Sequence, residues 1–147
     1  MLPGPVELRI HIYDVLLDRG SPPSIEELAG KFDVTPPEAI EAITALKVGK
    51  TVLQHPRTGE IWMAGPFSSD ATPYRVKGRR TSWFANCAWD MLGVAMIARE
   101  KVAIDALCGD CAEPIQLESA PDAPPKNPLL VHFLLPARQW YDDIGFT

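Results

Sequence analysis

The chain has 147 residues, enough for one ordinary domain or two small ones and too few for a large enzyme barrel. Hydrophobic residues make up 46% and charged residues 22%, which argues against a wholly disordered chain, a collagen or a coiled coil. The net charge of −5 argues against a nucleic-acid or anionic-membrane partner, because such binding depends on clustered Lys and Arg.

The N-terminus and the hydropathy pattern predict a cytoplasmic protein. No cationic start is followed by an apolar stretch, and no run of about eighteen apolar residues occurs, so we expect neither a signal peptide nor a membrane span. Thiols stay reduced in the cytoplasm. The three cysteines are therefore better interpreted as ligands or reactive groups than as a disulfide framework.

Three short helices are predicted first along the chain. Within Val6–Leu17, apolar residues recur at helical spacing on one face. Ser24 and Glu27 form the Ser-x-x-Glu pattern of a capping box, which starts a second helix. Thr35, followed by proline, starts a third helix over Pro36–Val48. Two capped helices are thus joined by a short turn.

A hairpin is predicted next, with arms at Thr51–Gln54 and Glu60–Met63 around a Pro/Gly turn. Helix, helix, helix, hairpin is the order of a winged helix-turn-helix, so residues 1–65 are predicted to form a winged-helix-like module. Such a module would bind DNA through Pro36–Val48, but that helix carries acidic side chains at the end that would enter the groove. We favour a module packed against the rest of the chain, with a DNA-binding regulator as an alternative.

Residues 66–147 are predicted to form a mixed core of short antiparallel strands around a buried helix. A connection rich in Pro, Gly and Ser spans Gly65–Gly78, and the proline-free apolar stretch Trp83–Ile97 indicates the buried helix. Short strands are expected at Val102–Ala106 and Pro114–Glu118. The predicted fold class is therefore α+β.

The end of the chain is predicted to be a loop, a strand and a short helix. Ser119–Pro128 holds four prolines and indicates an exposed loop. Leu129–Leu135 is expected to be a strand, and Pro136 opens a short helix at Ala137–Asp143.

Cys87 and Asp90 are the first candidate site. Three positions apart on a helix, the thiol and the carboxyl group would share one face and lie within reach of one substrate. A thiolate can hold a soft metal while a carboxyl group moves a proton. A cysteine on an apolar helix is also a common small core residue, so spacing alone weighs the two interpretations equally.

The second candidate is the C-x-x-C sequence of Cys108 and Cys111, between two predicted strands. Such a turn can contribute two thiolates to a tetrahedral zinc site, with Cys87 as a third ligand. A dithiol redox pair, or a tight turn whose cysteines merely pack, stays open as an alternative.

The run SWFANCAWDML at Ser82–Leu92 resembles the organomercurial (alkylmercury) lyases. The similarity continues through a cysteine-containing turn about twenty residues on, then through Pro114–Leu117 and Val131–Phe133, and covers most of residues 60–147. That family carries a winged-helix-like module as a partner of its catalytic core that does not bind DNA. The resemblance therefore accounts for both predicted units.

The resemblance implies protonolysis of a carbon–mercury bond by two cysteines and one aspartate. By position, Cys87 looks like the first mercury-binding thiolate and Asp90 like the acid that protonates the departing carbon. Cys108 resembles a family cysteine regarded as structural, whereas Cys111 has no clear counterpart. No added cofactor is implied, since mercury is the substrate and product ion.

The expected partner is a small organomercurial or a soft metal ion, with neither nucleic acid nor membrane. Zinc at the cysteines and a homodimer that completes the site stay open. A thiol-based binder of mercury, zinc, copper or a metalloid, without turnover, is the main alternative to a lyase.

In the family, a second catalytic cysteine lies shortly beyond the region matched by Trp140–Thr147, where this sequence ends. We therefore expect the core to be incomplete at its C-terminal end, with the next codon encoding the missing thiol or a selenol from a UGA triplet. Reading the nucleotides after the Thr147 codon tests this, and an ordinary terminator followed by noncoding sequence would contradict it.

Overall fold

Residues 1–123, 125–126 and 129–145 are described by the structure, which is a computed structural model. They form four α-helices and one seven-stranded sheet, so the predicted mixed α+β class is confirmed. None of the helices in these ranges combines the length and hydropathy that crossing a bilayer requires.

The three N-terminal helices form where the sequence predicts them. Their bounds are α1 Pro5–Arg19, α2 Ile25–Phe32 and α3 Pro36–Leu46. Both capping boxes are present: Ser24 and Glu27 exchange side-chain and backbone hydrogen bonds, and Thr35 and Glu38 do the same. The third helix ends two residues earlier than predicted, because a 3-10 turn takes over at Lys47–Gly49.

The seven strands that follow form a single antiparallel sheet, and in the chain α4 lies between the fifth and the sixth of them. The elements are β1 Val52–Gln54, β2 Ile61–Ala64, β3 Phe67–Ser68, β4 Tyr74–Lys77, β5 Ser82–Ala85, α4 Ala88–Ala98, β6 Val102–Leu107 and β7 Pro114–Ser119. Their order in the sheet is β1-β2-β3-β5-β4-β6-β7, and every neighbouring pair is antiparallel. The predicted hairpin is β1 and β2, and the predicted pair around the C-x-x-C turn is β6 and β7.

The sheet continues across the predicted boundary at residue 65. Strand β2 pairs with β3 through Met63 with Ser68 and Ala64 with Phe67. Buried side chains of α1 to α3, of the strands and of α4 belong to one hydrophobic cluster. The division at residue 65 stays a prediction, and the two parts share both backbone pairing and core.

Two segments in the middle of the chain differ from their predicted structure. The stretch Gly65–Gly78, predicted to be a connection, contains β3 and β4, because Phe67 and Val76 supply buried side chains to paired strands. The predicted helix Trp83–Ile97 begins as β5 and turns helical only at Ala88. Alternating burial along SWFA is the period-2 signal of a strand, which the continuous apolar character of the sequence conceals.

Burial of α4 is also less complete than predicted. Met91, Val94 and Ala95 are buried, whereas Trp89 is 60% exposed and Met96 is 64% exposed. Only one face of this helix packs against the sheet, through β4, β5 and β6. Helix α4 is therefore apolar on most sides but buried on only one of them.

The end of the chain differs most from expectation. Leu129–Leu135 forms no strand, and only Ala137–Gln139 of the predicted final helix is helical, as a 3-10 turn. Leu130 is 93% exposed, so this apolar run does not enter the core. A strand needs a partner edge for its backbone, and this segment joins none within the described ranges. Within the predicted loop Ser119–Pro128, Ser119 is the last residue of β7, and Ala120 and Ala123 form an isolated β-bridge. Residues 124, 127 and 128 of this loop lie outside the described ranges.

Replacing Ile12 by Ala is expected to lower the free energy of unfolding by roughly 2–5 kcal/mol, because this side chain is 0% exposed and its removal leaves a cavity in the core. The matched control is Ile10→Ala on the same helix, where 55% exposure predicts a change of about 0.5 kcal/mol or less. Urea unfolding of the three proteins measures both changes, and equal losses would contradict this packing of α1.

Candidate active site

A cavity of about 170 Å³ lies beside the start of α4. Its walls come from the β1–β2 region, from the start of α4 and from the end of the chain. The lining residues are Lys50, Thr51, Leu53, Met63, Gly65, Asn86, Cys87, Trp89, Asp90, Phe133, Trp140, Tyr141 and Ile144. Both predicted units therefore contribute to one cavity, which contains the first candidate pair.

Cys87 and Asp90 are brought together by a helix cap. Cys87 is the N-cap of α4, with extended backbone at φ −151° and ψ 177°, and its Sγ accepts a hydrogen bond from the Asp90 N–H at 3.4 Å. The two residues are therefore neighbours, as the spacing predicts, but not on one helix face. Cysteine here stands where Ser, Thr, Asp or Asn usually caps a helix, so its sulfur is held at a defined place beside the carboxyl group.

Burial dominates the electrostatics of this pair. It raises the pKa of Asp90, while hydrogen bonds from Asn86 and Cys87 to the carboxylate act in the opposite direction. Burial also raises the pKa of the Cys87 thiol, and the negative charge of Asp90 raises it further, against the hydrogen bond from the Asp90 N–H. Asp90 therefore keeps its proton to higher pH than an ordinary carboxyl group, and Cys87 stays a thiol to higher pH.

Asn86 is a site residue that the sequence reasoning missed. Its Nδ2 donates to Asp90 Oδ2 at 3.1 Å, and its backbone N–H donates to the Pro66 carbonyl at 3.1 Å. Its Oδ1 is buried without a hydrogen-bond partner among the described residues, which is unusual for a buried polar atom. The available signal is its position, directly before the N-cap of a helix that carries an aspartate in its first turn.

Two tyrosines, also missed, lie close to the pair. Tyr13 donates its hydroxyl to the Gly65 carbonyl at 2.6 Å, and burial, with a contribution from the charge of Asp90, raises its pKa. Burial and the neighbouring Cys87 raise the pKa of Tyr74. They come from α1 and β4, far from Cys87 in sequence, so no local pattern could have indicated them.

Aromatic rings form one side of the cavity. The ring centroids of Trp89 and Phe133 are 6.5 Å apart, and those of Phe133 and Trp140 are 4.9 Å apart. Lys50 places its Nζ 4.1 Å from the ring centroid of Tyr141, a cation–π contact between the N-terminal part and the end of the chain. The irregular segment predicted to be a strand therefore contributes an apolar wall instead.

Cys108 and Cys111 lie elsewhere, in the turn between β6 and β7. The Cys108 N–H donates to the Glu113 carbonyl and the Ala112 N–H to the Cys108 carbonyl, both at 2.9 Å. Hydrogen bonds from the Cys111 and Asp110 backbone and from the Cys111 side chain lower the pKa of Cys108. Neither residue lines the cavity.

The three cysteines do not form the metal site expected from the sequence. All three are free thiols, and in the described part of the chain no three His, Cys, Asp or Glu side chains come together as metal ligands. Cys87 follows β5 and Cys108 follows β6, and strand β4 lies between those two strands in the sheet. The convergence of Cys87, Cys108 and Cys111 on one ion is therefore not seen.

Comparison with known proteins identifies the family of this chain. The family model for alkylmercury lyase, MerB, matches residues 67–146. This chain belongs to the alkylmercury lyase family. The match confirms the resemblance found in the sequence, and it includes Asn86, Cys87 and Asp90 but not the β1–β2 side of the cavity.

A solved structure supports the fold of this family member. The crystal structure of the mercury-bound form of MerB2 matches with a TM-score of 0.61 and 19% sequence identity, over 80% of this chain and 56% of that chain. The chain thus spans little more than half the length of that relative. No curated protein sequence matches it.

Replacing Asp90 by Asn is expected to stabilise the fold at neutral pH, by roughly 1 kcal/mol, because it removes a charge that burial disfavours. Since the folded-state pKa lies above the unfolded one, the native protein loses stability as pH rises through it, so the advantage of the variant grows with pH. Urea unfolding between pH 4 and 8 measures this difference.

The matched control is Asp105→Asn. The ion pair with Lys77 lowers the pKa of this exposed carboxyl group, so its loss is expected to destabilise the fold at neutral pH. An Asp90→Asn variant that is equally stable to the native chain at every pH would contradict the burial of the Asp90 charge.

Proposed function

We propose that this family member cleaves carbon–mercury bonds by protonolysis, using Cys87 as the mercury ligand and Asp90 as the proton donor. The observation that carries the proposal is that the Cys87 thiol and the Asp90 carboxyl group line one largely apolar cavity, with the Asp90 N–H donating to Cys87 Sγ. Membership of the alkylmercury lyase family and the likeness to a MerB2 crystallised with mercury support it.

The cavity suits a small organomercurial compound. Thiolate sulfur is a soft ligand and matches a soft metal ion such as mercury. The organic group would lie against the apolar side chains of Leu53, Met63 and Phe133, which line the same cavity. The substrate is therefore recognised by sulfur at the metal and by apolar contact at the carbon.

The first step uses the pair as a thiol and a carboxylate. Mercury of R–Hg–X binds Cys87 Sγ, the thiol proton passes to the Asp90 carboxylate, and X⁻ leaves. The products are Cys87–S–Hg–R and a protonated Asp90. The Cys87 thiol and the Asp90 carboxyl group lie beside each other at the start of α4, where the Asp90 N–H holds the sulfur, so the proton has a short path and no thiolate has to exist before the substrate arrives.

The second step uses the protonated Asp90 as a general acid. Its proton is transferred to the carbon bound to mercury, the electron pair of the carbon–mercury bond forms the new carbon–hydrogen bond, and R–H leaves. Burial raises the pKa of Asp90, which keeps the acid form available for this transfer. The Asn86 amide, which donates to Asp90 Oδ2, stabilises the carboxylate that results.

Mercury then remains as Cys87–S–Hg⁺ beside the Asp90 carboxylate. Two external thiols R′SH release it as Hg(SR′)₂, returning one proton to Cys87 and one to Asp90, which loses it to solvent before the next cycle. The reaction is thus R–Hg–X + 2 R′SH → R–H + Hg(SR′)₂ + HX. Mercury enters as substrate, and the proton transfers call for no resident cofactor.

We also propose that residues 1–65 act as a wall of the site rather than as a DNA-binding module. Lys50, Leu53 and Met63 line the cavity, and Tyr13 of α1 contacts Gly65 at its edge. Glu38 and Glu41 are exposed on α3, where they would repel phosphates. The acidic helix and the shared cavity therefore favour a structural role.

Incubation with phenylmercury and excess thiol tests the proposed reaction. The native protein is expected to release benzene, whereas Asp90→Asn should lower the rate by at least about 100-fold, the usual contribution of a general acid. Cys87→Ser should also abolish turnover, because it removes the mercury ligand. Gas chromatography of the released benzene measures all three rates.

The matched control is Asp110→Asn, which changes a carboxyl group outside the cavity and should leave the rate unchanged. Equal rates in the native, Cys87→Ser and Asp90→Asn proteins would contradict the assignment. Stoichiometric mercury binding without benzene release would favour the alternative of a thiol-based metal binder.

A further inference from the structure

Cys108 and Cys111 form a second pair of thiols, separate from the cavity. Both are free, Cys108 half-buried and Cys111 exposed, in the turn that joins β6 to β7. The Cys108 N–H donates to the Glu113 carbonyl and the Ala112 N–H donates to the Cys108 carbonyl, both at 2.9 Å, which closes a tight turn that contains both cysteines. The two thiols therefore lie three residues apart in one hydrogen-bonded turn, which the fold forms without a metal ion.

The sheet places this turn at the same end of the fold as Cys87. Phe84 of β5 and Asp105 of β6 both pair with Arg75 of β4, so the three residues form one row across the sheet. Cys87 lies three residues beyond Phe84, and Cys108 lies three residues beyond Asp105. Strands β5 and β6 are both antiparallel to β4 and therefore run in the same direction.

The usual spacing of neighbouring strands gives the distance between β5 and β6. Neighbouring strands lie about 4.8 Å apart, so β5 and β6 are separated by roughly 10 Å. Cys87 and Cys108 follow these two strands at the same edge of the sheet, so the turn lies on the side of the fold that holds Cys87, although the cysteines do not form one metal-binding group within the described residues. Tyr74, which precedes Arg75 in β4 and pairs with Ala106 of β6, lies between the ends of β5 and β6, and its pKa is raised by burial and by the neighbouring Cys87.

The number of ligands in the turn favours mercury(II) over structural zinc. Structural zinc needs four ligands, and within the described ranges no third His, Cys, Asp or Glu joins this pair in a metal-binding group. Mercury(II) is satisfied by two thiolate sulfurs, which a C-x-x-C turn can supply. The pair thus matches the inorganic product of the reaction and not the structural ion that the motif first suggests.

We propose that Cys108 and Cys111 form a mercury(II)-binding site that receives the product ion from Cys87. The inference rests on the proposed function for the source of the ion, and on the turn itself for binding. The exchange is Cys87–S–Hg–SR′ + Cys108–SH + Cys111–SH → Cys108–S–Hg–S–Cys111 + Cys87–SH + R′SH. Two mercury–sulfur bonds form and two break, the protons of Cys108 and Cys111 go to Cys87 and R′S⁻, and nothing is oxidised or reduced.

Direct titration with mercury(II) chloride tests binding without any need for turnover. Cys87→Ser leaves the turn pair as the only cysteines, and this variant is expected to retain one mercury per chain after gel filtration in excess glutathione. Adding Cys108→Ser or Cys111→Ser to this variant should lower its affinity for mercury(II) about 100-fold, because only one sulfur of the protein then binds the ion. X-ray absorption at the mercury edge should show two sulfur neighbours in Cys87→Ser.

A single turnover with phenylmercury tests the transfer. Native protein and the Cys108→Ser/Cys111→Ser double variant are expected to release the same first equivalent of benzene. At limiting external thiol, the second turnover should be slower in the double variant, because mercury stays on Cys87. Circular dichroism of each variant checks that the fold is retained.

The two proposals fail in different ways. If Cys87→Ser loses its mercury to glutathione, or if the mass of the mercury-loaded variant includes one bound glutathione, the turn site is wrong even when benzene is released. If Cys87→Ser retains mercury while the native protein releases no benzene, the turn site stands and the lyase assignment fails. Equal second turnovers in the native protein and the double variant would overturn the transfer.

Discussion

The extended backbone of Cys87 ends one element and begins another, and the site depends on that change. Strand β5 stops at Ala85, α4 starts at Ala88, and the residue between them that caps the helix carries the thiol. A helix beginning three residues earlier would bury the sulfur in a continuous turn and separate it from the first N–H groups. Because Cys87 is the N-cap, its sulfur and the side chain of Asp90 meet at a helix start, where backbone N–H groups are available as donors.

Strand β5 is held in register by contacts far from the site. Trp83 is buried and donates its indole N–H to the Leu16 carbonyl of α1 at 2.7 Å, and Thr81 donates to the Asp18 carbonyl at 2.8 Å. The end of α1 is thereby tied to the strand that leads to Cys87. The N-terminal helices contribute to the site in this way as well as through the cavity wall, since a shift of β5 by one residue would move every side chain to the other face.

The site contains features that lower the free energy of unfolding and that proteins usually avoid outside functional sites. A carboxyl group with a raised pKa, a buried amide oxygen without a partner in the described structure and an exposed tryptophan all lie within one turn of the α4 start. Such departures from good packing are characteristic of functional sites, where chemistry and not stability determines the residue. Asn86 connects two of them, because its Nδ2 binds Asp90 while its Oδ1 is left unpaired. Its amide is thus oriented by the carboxylate that the proposed reaction regenerates.

Local patterns in the sequence were sufficient for the N-terminal helices, the β1–β2 hairpin, the strands β6 and β7 and the proximity of Cys87 and Asp90, because caps, turns and short spacings act within a few residues. They were insufficient for β3 to β5 and for the segment Leu129–Leu135. Whether an apolar run becomes strand, helix or wall depends on an available partner edge, which only the assembled sheet provides. The tertiary structure alone decided that Cys87 lies apart from Cys108 and Cys111, because β4 lies between the strands that carry them. It also decided that Tyr13 lies at Gly65 on the edge of the cavity and that Phe133 and Trp140 line it beside Cys87, since these residues come from separate parts of the chain and meet only in the folded structure.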